Sequence, residues 1–148
     1  MCWKILPSTI EKVGYVFYKV KKDVPCVKVI SEDNSPYYRF SCDFKYEEGV
    51  RYKYLPELKV GTEGNGSRII VKGFHSFPHI SSLNYYNRRP CGKVINFIIP
   101  KGAIVSILDE RNTQVSNQLI YPFPKWRQKF RRFFGLNPLY NKTITTMV

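Results

Sequence analysis

The stretch that decides the fold is Arg68-Ile-Ile-Val-Lys-Gly-Phe-His-Ser-Phe77, a short apolar strand that stops at a glycine and delivers a histidine between two phenylalanines. Its β-branched content is typical of a strand. A second strand is predicted at Lys93-Val-Ile-Asn-Phe-Ile-Ile99, where nearly every position is apolar, as in strands covered on both faces. Between them, Pro78 suits the first turn of a short helix that we expect to end near Arg89.

The chain before this stretch also favours strands. Residues 14–44 alternate between β-branched or aromatic runs and clusters of turn formers, which predicts a three-stranded antiparallel meander. Tyr52 and Tyr54 are two positions apart and therefore share one face of a further strand. Residues 56–66 carry Pro, Asn and three Gly, and predict a loop.

The remaining elements complete the predicted fold. Residues 103–108 and 114–121 indicate two more strands, and Pro124 and Gly135 mark the start and end of a last helix. We therefore expect an α+β fold, with a mainly antiparallel or mixed and partly curled sheet, one short helix and a C-terminal basic amphipathic helix. The expected division is an α+β domain over residues 1–121 and a basic helical tail over 122–148.

Composition restricts the class of protein. A chain of 148 residues with 43% apolar side chains can form one core. Since no apolar run reaches the roughly 18 residues that a membrane span requires, and the first residues show no signal-peptide pattern, we expect a cytoplasmic protein of a host cell, or a virion-associated one, that is not secreted. The four cysteines lack the close paired spacing of zinc sites, so we expect buried free thiols and no metal.

The positive charge is concentrated in the second half of the chain. Residues 1–63 hold 11 Lys+Arg against 9 Asp+Glu, whereas residues 64–148 hold 13 Lys+Arg against only two acids. A field of this kind attracts polyanions, namely nucleic acid, an acidic protein surface or an anionic membrane. Enhanced solubility without a partner is the other interpretation.

The tail helix is the main candidate for a binding site. One face carries the aromatic side chains Trp126, Phe130, Phe133 and Phe134. Cations occupy the remaining positions: Lys125, Arg127, Lys129, Arg131 and Arg132. The cations could neutralise phosphates while Trp126 stacks on a base. A membrane surface also fits such a helix but ranks behind nucleic acid. In the alternative interpretation the aromatic face packs on the domain.

Two further groups of residues are candidates. Arg88 and Arg89, together with nearby lysines at 72, 93 and 101, would extend the basic surface of the tail if the fold brings them together. His75, placed after a glycine at a strand end, could face a cleft and transfer protons. A partly buried histidine with a structural role is the alternative, because no nucleophile or carboxylate is assigned to it.

Four motifs resemble a group of small uncharacterised proteins from bacteriophages and Bacteroidota mobile elements. In chain order they are Tyr15-Val-Phe-Tyr-Lys-Val20, Lys72-Gly-Phe-His-Ser-Phe77, Gly92-Lys-Val-Ile-Asn-Phe-Ile-Ile-Pro-Lys-Gly-Ala103 and Val115-Ser-Asn-Gln-Leu-Ile-Tyr121. The resemblance covers roughly residues 14–121 and implies a role beside a packaged genome or portal.

The order of elements is also similar to the split sheet of ADP-ribosyltransferases. That resemblance implies a late-strand Glu that stabilises the forming ribosyl cation, but the matching residues 115–119 offer Gln118 and no carboxylate. A neutral amide does not supply that charge. The resemblance implies an enzyme with His75 beside a nucleotide pocket. Since the carboxylate is missing, an inactive descendant of such an enzyme is the other form of this interpretation.

The sequence thus predicts a non-enzymatic basic module, phage-related, that engages nucleic acid or another polyanion without a cofactor. The ADP-ribosyltransferase-like enzyme is one alternative. A structural or cargo protein that docks on an acidic partner chain through Trp126 and Phe130 is the other. The oligomeric state is left open.

Overall fold

The computed structural model describes residues 10–14, 17–35, 45–58, 60–63, 68–71, 73–78, 92–108 and 113–146. These residues form strands in three sheets and a single short helix, α1. The strands are β1 Ile10–Lys12, β2 Phe17–Val20, β3 Val24–Ile30, β4 Val50–Tyr54, β5 Val60–Glu63, β6 Arg68–Val71, β7 Phe74–Ser76, β8 Lys93–Ile99, β9 Ile104–Leu108, β10 Thr113–Ser116, β11 Gln118–Tyr121 and β12 Lys142–Thr146, and α1 is Lys125–Phe133. The expectation of a sheet-dominated fold with mixed pairing is confirmed for this part of the chain.

Two five-stranded sheets make up most of the fold. Sheet A has the strand order β1-β2-β9-β10-β7, and sheet B has the order β12-β4-β11-β8-β3. Pairing is antiparallel except between β12 and β4, which run parallel. The edge strands β7 and β3 approach each other at a bridge in which Val27 and Phe77 exchange two backbone hydrogen bonds of 2.8 Å. The two sheets therefore meet along one side.

A long ribbon of paired strands passes from sheet A to sheet B. β2 pairs with β9 in sheet A, and β3 continues the same register against β8 in sheet B. The ribbon bends where the Asp23 carboxylate accepts a 2.8 Å hydrogen bond from the backbone N–H of Lys101. The predicted meander is wrong in this respect, because β2 and β3 lie in different sheets; its third strand, at residues 37–44, lies outside the described residues.

A second bend falls at Asn117, inside the segment that the sequence predicts as one strand. The Asn117 side-chain oxygen accepts a hydrogen bond from the Ile104 backbone N–H at 2.8 Å, and the Asn117 N–H donates to the Ile104 carbonyl at 3.0 Å. These bonds satisfy the backbone at the kink, so β10 stays in sheet A while β11 joins sheet B. Strands that change sheet at a bend are typical of orthogonal packing.

Three other expectations need correction. The strand at residues 68–71, from which the predicted fold was built outward, belongs to neither five-stranded sheet, because β6 pairs with β5 in a separate two-stranded sheet. β5 itself lies within the predicted loop at 56–66. β8 is not covered on both faces along its whole length, since Val94 and Asn96 are exposed. The helix expected after Pro78 falls on residues 79–91, outside the described part of the chain.

The core is rich in aromatic rings. Phe97 is completely buried in β8 and contacts the rings of Tyr46 and Tyr121, with centroid distances of 5.3 and 4.9 Å. Tyr52 is also fully buried, and its ring stands edge-on to Tyr46 at 5.0 Å. Edge-to-face pairs of this kind add to the free energy gained from burial. The aromatic cluster thus joins β4, β8 and β11 of sheet B.

Burial changes the acidity of the Tyr52 phenol. Its hydroxyl accepts a 2.7 Å hydrogen bond from the Glu47 backbone N–H, but desolvation dominates and raises the pKa of Tyr52 from 10.0 to about 12. Since the folded pKa lies above the unfolded value, the buried neutral phenol stabilises the fold fully below about pH 10. That contribution is lost as the pH rises from 10.0 toward about 12.

We therefore expect the free energy of unfolding to fall through this alkaline window, and to fall less in Tyr52→Phe, which keeps the ring and removes the ionisable group. Urea denaturation of both proteins over a pH series, followed by circular dichroism, measures the difference. Equal pH dependence in the two proteins would show that Tyr52 does not stay neutral in the fold.

Candidate functional site

α1 begins and ends where the sequence predicts. Pro124 is the residue before its first turn, where the missing N–H leaves no hydrogen bond unmade. Gly135 follows the helix with a φ of +70°, and its N–H donates to the Arg132 carbonyl at 3.0 Å. Leu136 then donates to the Arg131 carbonyl at 2.9 Å. The backbone of the C-terminal turn is thereby capped by the chain that follows it.

One side of α1 is anchored to the residue that precedes it. The guanidinium groups of Arg127 and Arg131 lie over the Phe123 ring at 4.3 and 4.8 Å from its centroid. Gln128 donates its side-chain N–H to the Phe123 carbonyl at 2.7 Å, and Arg131 donates to the Asn137 carbonyl at 2.7 Å. Phe123 itself is 2% exposed. This side fixes the orientation of the helix.

The aromatic side of α1 points away from this anchor. Trp126 is 73% exposed and Phe133 is 83% exposed, and Phe130, Phe134 and Leu136 are exposed as well. Among the described residues, these make up five of the eight large apolar side chains that are exposed. The interpretation in which the aromatic face packs on the domain is therefore wrong. The basic helix instead leaves an apolar patch in solvent.

The remaining cations form a row beside this patch. Lys125, Lys129 and Arg132 are exposed and follow one another at intervals of four and three residues, so they lie along one helix face. With about 100° between successive residues, this row is next to the face of Trp126 and Phe133. The five predicted cations thus divide into two groups, an anchoring pair at 127 and 131 and a free row at 125, 129 and 132.

The sequence did not separate these two groups, although a signal for it exists. Phe123, Arg127 and Arg131 follow one another at intervals of four residues. The aromatic ring therefore lies about one helical turn before the first guanidinium and about two turns before the second. Such spacing predicts cation–π contacts along a helix and at its entry. It would have identified the anchoring side of α1 before the structure was known.

His75 lies in β7, where its side chain is half-buried and its backbone pairs with Val115 of β10. Its carbonyl accepts a hydrogen bond from the side-chain amine of Lys28 in the adjacent β3. Gln118 lies beyond the bend at Asn117, in sheet B. The structure thus gives His75 a place in a sheet edge that joins sheets A and B, and its catalytic role stays a prediction.

The second basic group is described in part. Lys101 is exposed at the turn after β8, and Lys93 is half-buried at the start of that strand. Arg88, Arg89 and Lys72 lie outside the described residues. Their union with the α1 cations in one surface stays a prediction.

Of the four cysteines that we expect to be buried free thiols, the structure describes only Cys26. Cys26 is a free thiol in the core, and desolvation raises its pKa to about 12. Such a thiol is a small apolar side chain rather than a nucleophile or ligand. In the described ranges, no cluster of three or more His, Cys, Asp or Glu has the arrangement to hold a metal ion.

Comparison with protein-family models, curated proteins and solved structures found no match to this chain. The part of the chain that the structure describes contains no helix with the length and hydropathy needed to cross a bilayer. The candidate site is therefore defined by its own geometry, which is a basic helix with a fixed anchoring side, an exposed aromatic side and a row of cations between them.

Proposed function

We propose that this chain is a non-enzymatic binding module that engages a polyanion through α1. The observation that carries the proposal is the exposed row of Lys125, Lys129 and Arg132 on a helix that contains no acidic residue. Residues 121–148 hold six Lys+Arg and no Asp or Glu, so no neighbouring acid in this segment neutralises the row. Like charges this close repel one another, and an anionic partner relieves that repulsion.

The anchoring side of α1 supports the proposal. Because Arg127 and Arg131 are held over Phe123, the helix has one orientation before any partner arrives. A preorganised surface loses less conformational entropy on binding than a free tail. The row of cations therefore reaches its partner already in place.

Nucleic acid is the polyanion that tests the proposal most directly. We expect full-length protein to bind labelled DNA and RNA, with an affinity that falls steeply with salt. Changing Lys125, Lys129 and Arg132 together to Gln should make the plot of log affinity against log salt shallower by about 2 to 3, since each phosphate contact contributes about 0.7 to 0.9. Fluorescence anisotropy across a salt series measures both slopes.

The matched control removes the same charge elsewhere. Lys19, Lys21 and Lys22 are exposed in the first half of the chain, and their change to Gln should leave the slope near that of the unmodified protein. Heparin serves as a polyanion without bases. If neither probe binds at low salt, or if the two triple variants behave alike, α1 is not a site for soluble polyanions.

A further inference from the structure

We infer that the polyanion held by α1 is an anionic lipid surface, on which the helix lies flat with its aromatic side in the headgroup region. This inference rests on the proposed function and names the partner of the same site. It starts from the apolar patch, which charge neutralisation alone does not explain. Trp126, Phe130, Phe133, Phe134 and Leu136 all remain largely in solvent.

The packing of the aromatic rings favours lipid over stacked bases. Phe134 lies 4.8 Å from Phe130 with a 57° angle between the ring planes, and 5.3 Å from Phe133 with an angle of 86°. Base stacking requires flat ring faces that are open and spaced along the strand. Here Phe134 stands edge-on to Phe133 and is tilted against Phe130, so these three exposed rings form one apolar cluster rather than a row of parallel faces. A cluster of this shape suits insertion into an apolar phase better than stacking on successive bases.

The position of the cations also fits a bilayer surface. Lys125, Lys129 and Arg132 lie beside the aromatic side rather than opposite to it, which is where phosphate headgroups meet a helix at the boundary with the acyl chains. The long side chains of Lys and Arg can reach those headgroups while the rings are buried more deeply. The row and the patch are thus complementary in charge and polarity to one and the same surface.

The anchor leaves the patch accessible to a flat surface. Arg127, Gln128 and Arg131 tie another side of α1 to Phe123. Trp126, Phe130 and Phe133 are each more than half exposed, so the aromatic side is open to a partner surface. α1 is also already helical, so it gains affinity without the cost of folding at the interface.

Vesicle flotation of the full-length protein tests the inference. We expect binding to vesicles of phosphatidylcholine with phosphatidylglycerol, and at least about hundredfold weaker binding to phosphatidylcholine alone. The triple change of Lys125, Lys129 and Arg132 to Gln should reduce partitioning about hundredfold, at about fivefold per cation near an anionic surface. Phe133→Ser should reduce it at least about tenfold through lost apolar burial.

Two spectroscopic and binding controls make the result specific. The protein has a second tryptophan, Trp3, so a blue shift of emission on adding anionic vesicles should be lost in Trp126→Phe. Phe133→Ser should leave the salt-dependent binding to heparin unchanged, because heparin is a polyanion without bases on which a ring could stack. The circular dichroism of each variant in solution should match that of the unmodified protein.

The outcomes separate the two proposals. If nucleic acid or heparin binds through the cation row but anionic vesicles do not bind, the lipid inference is overturned and the polyanion site stands. If vesicles bind equally well with and without Phe133, the aromatic side does not enter the membrane and the inference fails. If the triple charge variant binds every probe normally, both proposals fail.

Discussion

Gly49→Ala should lower the free energy of unfolding by about 3 kcal/mol or more, because an added Cβ requires both a left-handed backbone conformation and a shift of a buried ring. Gly49 has a φ of +78°, and a Cβ there would lie 2.1 Å from Cε1 of Phe123. The glycine also donates to the Tyr121 carbonyl at 2.6 Å and accepts from the Asn141 N–H at 2.9 Å. A shift of the Gly49 backbone would break these hydrogen bonds, and a shift of the buried Phe123 ring would disturb its contacts with Arg127 and Arg131.

Gly102→Ala is the matched control, because it separates the cost of the backbone conformation from the cost of the clash. Gly102 has a similar φ of +88°, but a Cβ there meets no atom within 4 Å. We expect a loss of about 1 to 2 kcal/mol, the cost of a left-handed conformation alone. Urea denaturation of both variants gives the comparison. Equal losses would mean that the Phe123 ring gives way freely and does not fix α1.

Phe97→Ala should destabilise the protein by about 3 to 5 kcal/mol. The ring is 0% exposed and lies between Tyr46 and Tyr121, so its removal leaves a cavity in the aromatic cluster of sheet B. The cost combines lost burial with the contacts that the two tyrosines can no longer make. The readout is the midpoint and slope of urea unfolding, followed by near-ultraviolet circular dichroism.

Val94→Ala on the same strand provides the reference for strand propensity. Its side chain is 37% exposed, so the expected loss is well under that of Phe97→Ala, about 1 kcal/mol at most. A comparable loss in the two variants would contradict the placement of Phe97 at the centre of the core. It would instead indicate that the contribution of β8 to stability depends on the strand propensity of its residues along the whole strand.

Sequence patterns could predict individual strands but not their distribution between sheets. β4, β8 and β9 fall where β-branched and aromatic residues predict them, because alternation reports which side chains share a face. Alternation carries no information on which strand is the neighbour. The break at Asn117 depends on hydrogen bonds to Ile104, a residue that is distant in sequence. The two-sheet arrangement was therefore beyond a pattern-based prediction.

The same limit applies to the candidate site. The Pro124 and Gly135 signals predict α1, and its cations follow from the sequence directly. Whether the aromatic side faces the core or the solvent does not follow, since a 3.6-residue period is the same in both cases. The structure decides this through Phe123, whose ring attracts two arginines and so turns Trp126 outward. The predicted boundary between 121 and 122 stays a prediction, and β12, beyond it, pairs with β4.

The parallel pairing of β12 with β4 has a kinetic consequence. Arg51 and Thr143 are in contact across 92 positions of the chain, and β11, α1 and β12 form one excursion that leaves sheet B and returns to it on the far side of β4. Contacts between residues this far apart in the chain raise the contact order and slow folding. α1 has nine residues and is too short to be a stable helix on its own in water. We therefore expect the helix, with its exposed aromatic side, to form only as β12 pairs with β4, in one of the later steps of folding.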